Sequence, residues 1–80
     1  MTGYASLAAF LAHWHALARK HDTNQESALL AEMNRTVQEI LGDDSRYLKE
    51  PATDSAAQRH RGRAETRLRR ELIARGTISG

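Results

Sequence analysis

Residues 55–76 read SAAQRHRGRAETRLRRELIARG, and the reading of this stretch decides the fold. At about 100° per residue, Ala57, Ala64, Leu68 and Leu72 fall on one face of a helix. Arg59, Arg63, Arg67 and Arg70 fall together on a different flank. Seven arginines lie in the stretch against Glu65 and Glu71 alone. Ser55-Ala56-Ala57-Gln58 fits the S-x-x-Q form of a capping box, and Gly76 is a natural helix stop. Gly62 lies inside the helix and weakens it by up to ~1 kcal/mol relative to alanine. It marks either an exposed position of no consequence or a close approach by a partner backbone. Residues 77–80 are expected to fray.

Upstream, residues 42–54, GDDSRYLKEPATD, read as a long connection. Pro51 holds Glu50 away from helical geometry, and the segment is longer than most loops. Tyr47 and Leu48 are its only large apolar residues, so both are expected to pin it onto the rest of the protein. Tyr47 could alternatively anchor a partner.

A second helix is expected over about residues 24–41. Thr23-Asn24-Gln25-Glu26 is a capping box, which places Ser27 inside the helix, and Gly42 ends it. Leu29, Leu30, Met33, Val37, Ile40 and Leu41 make its apolar face. The first helix is expected over about 4–21, with Leu7, Phe10, Leu11, Trp14, Leu17 and Ala18 as its stripe. Only Asp22-Thr23 separates the two, so they should form a tight antiparallel hairpin. The side bearing Ala5, Ala8, Ala9, Ala12 and Ala16 is unusual, because no Asp, Glu, Lys or Arg occurs in residues 1–18. A surface helix normally carries charge outward. Part of the Ala5, Ala8, Ala12 and Ala16 side is therefore expected to be covered, by the third helix or by another chain, for which a homodimer through the first helix is one form.

The fold class that follows is all-α, a three-helix arrangement. It comprises the hairpin of about 4–21 and 24–41 and a third, arginine-rich helix of about 55–75, either packed on the hairpin or projecting from it. Trp14, Leu30, Val37, Leu68 and Leu72 are the predicted shared core. Eighty residues make one domain. A chain this short buries about 60% of its unfolded surface and draws ~3–5 kcal/mol from its core.

There is no cysteine. That excludes disulfides, thiol chemistry and cysteine-ligated zinc, and it fits a reducing cytoplasm. The N-terminus lacks the basic region of a signal peptide, and the apolar run 4–18 is shorter than the ~20 residues of a membrane span. Charge is divided unevenly. Residues 1–52 carry five basic side chains against seven acidic ones, and residues 53–80 carry seven arginines against Asp54, Glu65 and Glu71. A basic segment on a mildly acidic body suggests an anionic partner.

The sequence shows no catalytic, cofactor or metal signature. His13 and His15 point about 200° apart on a helix and cannot grip one ion; His21 and His60 are remote. Ser6, Ser27, Ser45, Ser55 and Ser79 sit in no nucleophile motif, Asp43 and Asp44 lie in the loop, and no glycine-rich phosphate loop occurs. The arginines carry the strongest signal. Glu65–Arg69 and Glu71–Arg75 should pair at i,i+4, leaving Arg59, Arg63 and Arg70 without an intrahelical acid and Arg67 sharing Glu71. Arg61 and Arg75 lie toward the apolar face, where their stems can snorkel. The long loop before the basic helix does not match a helix-turn-helix. No aromatic residue interrupts the arginines, so no stacking platform for single strands is evident.

These features point to a small non-enzymatic adaptor or inhibitor. It would dock through Arg59, Arg63, Arg67 and Arg70 on a protein with an acidic surface, or through the first helix on an apolar groove. One concrete form is a phage or mobile-element inhibitor of a host nucleoprotein complex, of the anti-CRISPR kind. The alternatives are a nucleic-acid-binding protein that lays the third helix along phosphates, and a structural subunit of a larger assembly.

Overall fold

The computed structural model describes residues 3–20 and 27–80. Its elements are α1 (Leu7–Lys20), α2 (Ala28–Leu41), a 3₁₀ turn (Gly42–Ser45), the one-turn α3 (Arg46–Lys49) and α4 (Ser55–Ala74). The three predicted helices are α1, α2 and α4, and the architecture is an all-α three-helix arrangement. The capping box Thr23–Glu26, the Asp22-Thr23 link and His21 lie outside the described residues.

α1 begins at Leu7 rather than Tyr4. The Ser6 hydroxyl accepts from the Ala9 amide at 3.2 Å, as an N-cap side chain does. The backbone of Tyr4 is engaged elsewhere: its amide donates to the Thr77 carbonyl at 2.8 Å, and its carbonyl accepts from Ser79 at 2.9 Å. α2 begins at Ala28 because Ser27 is extended (φ −74°, ψ 158°) and caps the helix, accepting from the Leu30 amide at 3.0 Å. Ser27 is thus the cap and not a helix-interior residue. Gly42 ends α2 at φ 59°, a backbone angle that side chains disfavour.

The segment after Gly42 departs from an open loop. It winds through the 3₁₀ turn and α3, and Leu48 of α3 is 2% exposed. Burial of Leu48 repays the ordering of this turn, which sequence periodicity over four residues cannot reveal. Ser45 is also buried, its hydroxyl donating to Gln38 Oε1 at 3.3 Å. Of the two pins expected, Leu48 inserts fully, whereas Tyr47 stays half-buried. Glu50 is extended (ψ 151°), as the residue before Pro51 should be.

α4 is capped by Asp54 and not by Ser55: Asp54 Oδ1 accepts from the Ala57 amide at 2.7 Å. A carboxylate at a helix N-terminus gains from the dipole as well as the hydrogen bond, which favours Asp54 over the neighbouring serine. At the other end, the Gly76 amide donates to the Ile73 carbonyl at 3.0 Å and Thr77 to Leu72 at 2.8 Å, with Gly76 at φ 77°. This is a Schellman termination. It turns the chain back toward the N-terminus, where Ile78 forms an isolated parallel bridge with Tyr4. Ile78 is buried, so the expectation of a frayed tail fails: an apolar side chain two residues past the stop falls into the core.

The core is one cluster in which Trp14, Leu30, Val37, Leu68 and Leu72 are all buried, together with Phe10, Met33, Leu48 and Ile78. α4 is therefore packed and not projecting. The Trp14 Nε1–H donates to Asn34 Oδ1 at 2.8 Å, which satisfies the one polar atom of the buried indole. Leu29, placed on the apolar face of α2 by periodicity, is 42% exposed.

The alanine side of α1 is not covered by α4. Ala5, Ala8, Ala9, Ala12 and Ala16 are all exposed. α1 meets the rest of the protein through Leu7, Phe10, Leu11 and Trp14, and these larger side chains leave the alanines facing outward. Among the described residues nothing covers that side. Among the described residues no helix is long and apolar enough to cross a membrane.

Candidate interaction surface

Arg59, Arg63, Arg67 and Arg70 are all exposed and line one shallow groove along α4, together with Gly62, Thr66 and the exposed carboxylate Glu71. The cause is the offset between two stripes of one helix. Ala64, Leu68 and Leu72 are buried, and that fixes the rotation of α4 and turns the arginine flank to solvent.

The acids are used differently from the i,i+4 pairing expected. Glu65 pairs backward with Arg61 at 3.4 Å, not forward with Arg69. Arg75 crosses to Glu39 of α2 at 3.2 Å, leaving Glu71. The tertiary fold explains the second exchange, since packing α4 on α2 brings Glu39 within reach of the last turn. Arg61 and Glu65 are both only about a third exposed, 35% and 34% at their side chains. Among the described residues, no carboxylate pairs with Arg59, Arg63, Arg67 or Arg70. These pairs are surface ones and contribute little to stability. Their consequence is the charge they leave over on the outer face.

An aromatic pair borders this face, which the sequence reading did not anticipate. Tyr47 from α3 stacks on His60 of α4, with ring centroids 4.8 Å apart and planes 15° from parallel. Arg63 Nη2 donates to His60 Nδ1 at 2.8 Å. On the α3 side the Arg46 guanidinium carbon lies 4.9 Å from the Tyr47 ring centroid, and Nη2 donates to the phenol oxygen at 2.9 Å. That hydrogen bond, with the favourable charge interaction behind it, raises the Arg46 pKa above its ordinary value. Arg46, Tyr47, His60 and Arg63 therefore form one continuous polar–aromatic row. The only signal in the sequence was Tyr47 as a large residue in a polar segment. Its partner His60 lies thirteen positions away, beyond any local periodicity.

The remaining histidines do not converge. His13 Nδ1 is 2.7 Å from the Tyr4 hydroxyl. His15 donates from Nε2 to the Leu48 carbonyl at 2.9 Å and stacks on Trp14, with centroids 5.3 Å apart. Both are half-buried and flank the core at Trp14. Among the described residues no three His, Asp or Glu side chains group as a metal site. A cleft between α1 and α2 is bordered by Phe10, His13, Leu29 and Met33. His13 there already bonds Tyr4, so the cleft offers apolar packing more than chemistry.

The chain matches no protein-family model, no curated protein and no solved structure.

Proposed function

We propose that this protein is a non-enzymatic binding module that docks on an acidic protein surface through the arginine face of α4. One observation carries the reading. Four arginines stand exposed on one helical face with no carboxylate partner among the described residues, while two others, Arg61 and Arg75, are engaged by acids of the fold. Arginine forks suit carboxylates and phosphates, and arginine with tyrosine is the composition enriched at the energetic centres of protein interfaces. An adaptor and an inhibitor both fit this surface; a phage or mobile-element inhibitor of a host nucleoprotein complex is a specific form of the second. A cysteine-free chain suits the reducing cytoplasm as its location.

A second reading, nucleic-acid binding, draws support from the Tyr47–His60 stack beside Arg63. Aromatic rings next to a basic track are how single strands are held. Binding to poly-L-glutamate and to single-stranded and duplex oligonucleotides, at about 0.15 M ionic strength, separates the two. The expected result is saturable binding to the polyacid that is abolished when Arg59, Arg63, Arg67 and Arg70 are all replaced by Glu, with helicity by circular dichroism unchanged. Duplex affinity weaker than ~10⁻⁴ M, the weak end of non-specific binding, sinks the duplex form of the second reading. Polyacid binding that survives the fourfold replacement sinks the first.

A further inference from the structure

An apolar line runs along the edge of the arginine face. Gly62, Thr66 and Ile73 lie within about 40° of one another around α4, over about 16 Å of its axis. Arg59, Arg63 and Arg70 flank this line on one side and Arg69 on the other. Ile73 is 44% exposed, and only one other large hydrophobic residue among those described, Leu29, is so open. The Thr66 hydroxyl is spent inside its own helix, donating to the Gly62 carbonyl at 3.0 Å.

Gly62 is the informative residue. Its φ is not positive, so no unusual backbone conformation calls for glycine. A Cβ built there would meet nothing within 4 Å, so no neighbour in the fold excludes a side chain. The fold carries the helix-weakening effect of glycine at mid-helix without any internal return. What glycine does provide is a low point beside Arg59 and Arg63 in the shallow groove along α4, where another backbone can approach closely.

We infer that the occupant of this face of α4 is an acidic amphipathic helix of a partner protein, a deepening that rests on the acidic-surface reading above. Such a helix lies along α4 for about three turns. Small or aliphatic residues on its inner line meet Gly62, Thr66 and Ile73, and carboxylates on its flanks meet Arg59, Arg63 and Arg70 on one side and Arg69 on the other. A phosphate backbone would use the arginines but would leave the exposed isoleucine unmatched, which is why the apolar line favours a protein helix. A helix in a groove is read at i, i+3, i+4 and i+7, and the arginine spacing on α4 supplies the complementary pattern.

The test uses the full chain and three probes. One is a capped peptide with Leu and Ala on one helical line and Glu on both flanks. The second has the same residues reordered so that Glu and Leu alternate around the helix. The third is a duplex oligonucleotide. By titration calorimetry the patterned peptide is expected to bind at least about tenfold more tightly than the reordered one. Gly62→Leu and Ile73→Gln are each expected to weaken it by about the same factor, with thermal stability held or, for Gly62→Leu, raised. Equal binding of the two peptides overturns the inference, as does an affinity untouched by both substitutions, or a duplex that binds more tightly than the patterned peptide. If arginine-dependent binding to poly-L-glutamate stands while the patterned peptide has no advantage, the helix inference falls and the acidic-surface reading survives. If neither acidic probe binds, both fall.

Discussion

Replacing Ile78 by alanine tests whether the last residues belong to the core. Ile78 is 4% exposed, and the backbone on either side of it is bonded to Tyr4. Burying an isoleucine side chain contributes about 1.5–3 kcal/mol, and truncating one to alanine costs ~2–5 kcal/mol once the cavity is included. The site lies at the edge of the core, on a segment held to Tyr4 by two backbone bonds and therefore able to settle inward. That places the expected cost at the low end, about 2–3 kcal/mol. For a domain of this size each kcal/mol moves the midpoint by about 4–8 °C, so Tm should fall by roughly 10–20 °C. Urea unfolding followed by circular dichroism gives the same quantity independently. The slope against urea should be unchanged if the native surface is otherwise intact. A loss below about 0.5 kcal/mol, the ordinary effect of a surface substitution, would refute the argument and return residues 77–80 to a frayed tail.

Asp54→Ala should cost about 0.5–2 kcal/mol by loss of the cap on α4, while Ser55→Ala should be near neutral; the reverse order in urea midpoints would reinstate the serine capping box. Leu30→Ala should cost ~2–5 kcal/mol, because Leu30 is 4% exposed. Leu29→Ala should cost far less, and equal losses in thermal melts would show that the face of α2 has been assigned wrongly.

The parts of this fold that sequence alone determined are those with a local physical cause. Alanine-rich and leucine-rich periodicity is enough to form α1 and α2, and an offset between an apolar and a cationic stripe is enough to orient α4. Each signal is set within four residues along one helix, so neighbours in sequence carry it. Gly42 and Gly76 are likewise legible, because stopping a helix needs a backbone angle that glycine alone adopts easily. The exposure of Arg59, Arg63, Arg67 and Arg70 followed directly from the burial of Leu68 and Leu72.

Tertiary structure decided everything that depends on residues far apart in the chain. Four residues of α3 hold too little periodicity to be read as a helix, and they are helical because Leu48 has a core to enter. Arg75 pairs with Glu39 and not with its helical neighbour because α2 lies alongside the last turn of α4. Ile78 is ordered because the Schellman turn aims it at Tyr4, and Tyr47 meets His60 because α3 lies over the first half of α4, where that helix's own apolar line is thin. In each case the stabilising contact is made across an interface between elements. Its energy depends on a distance that no pattern within a single segment encodes.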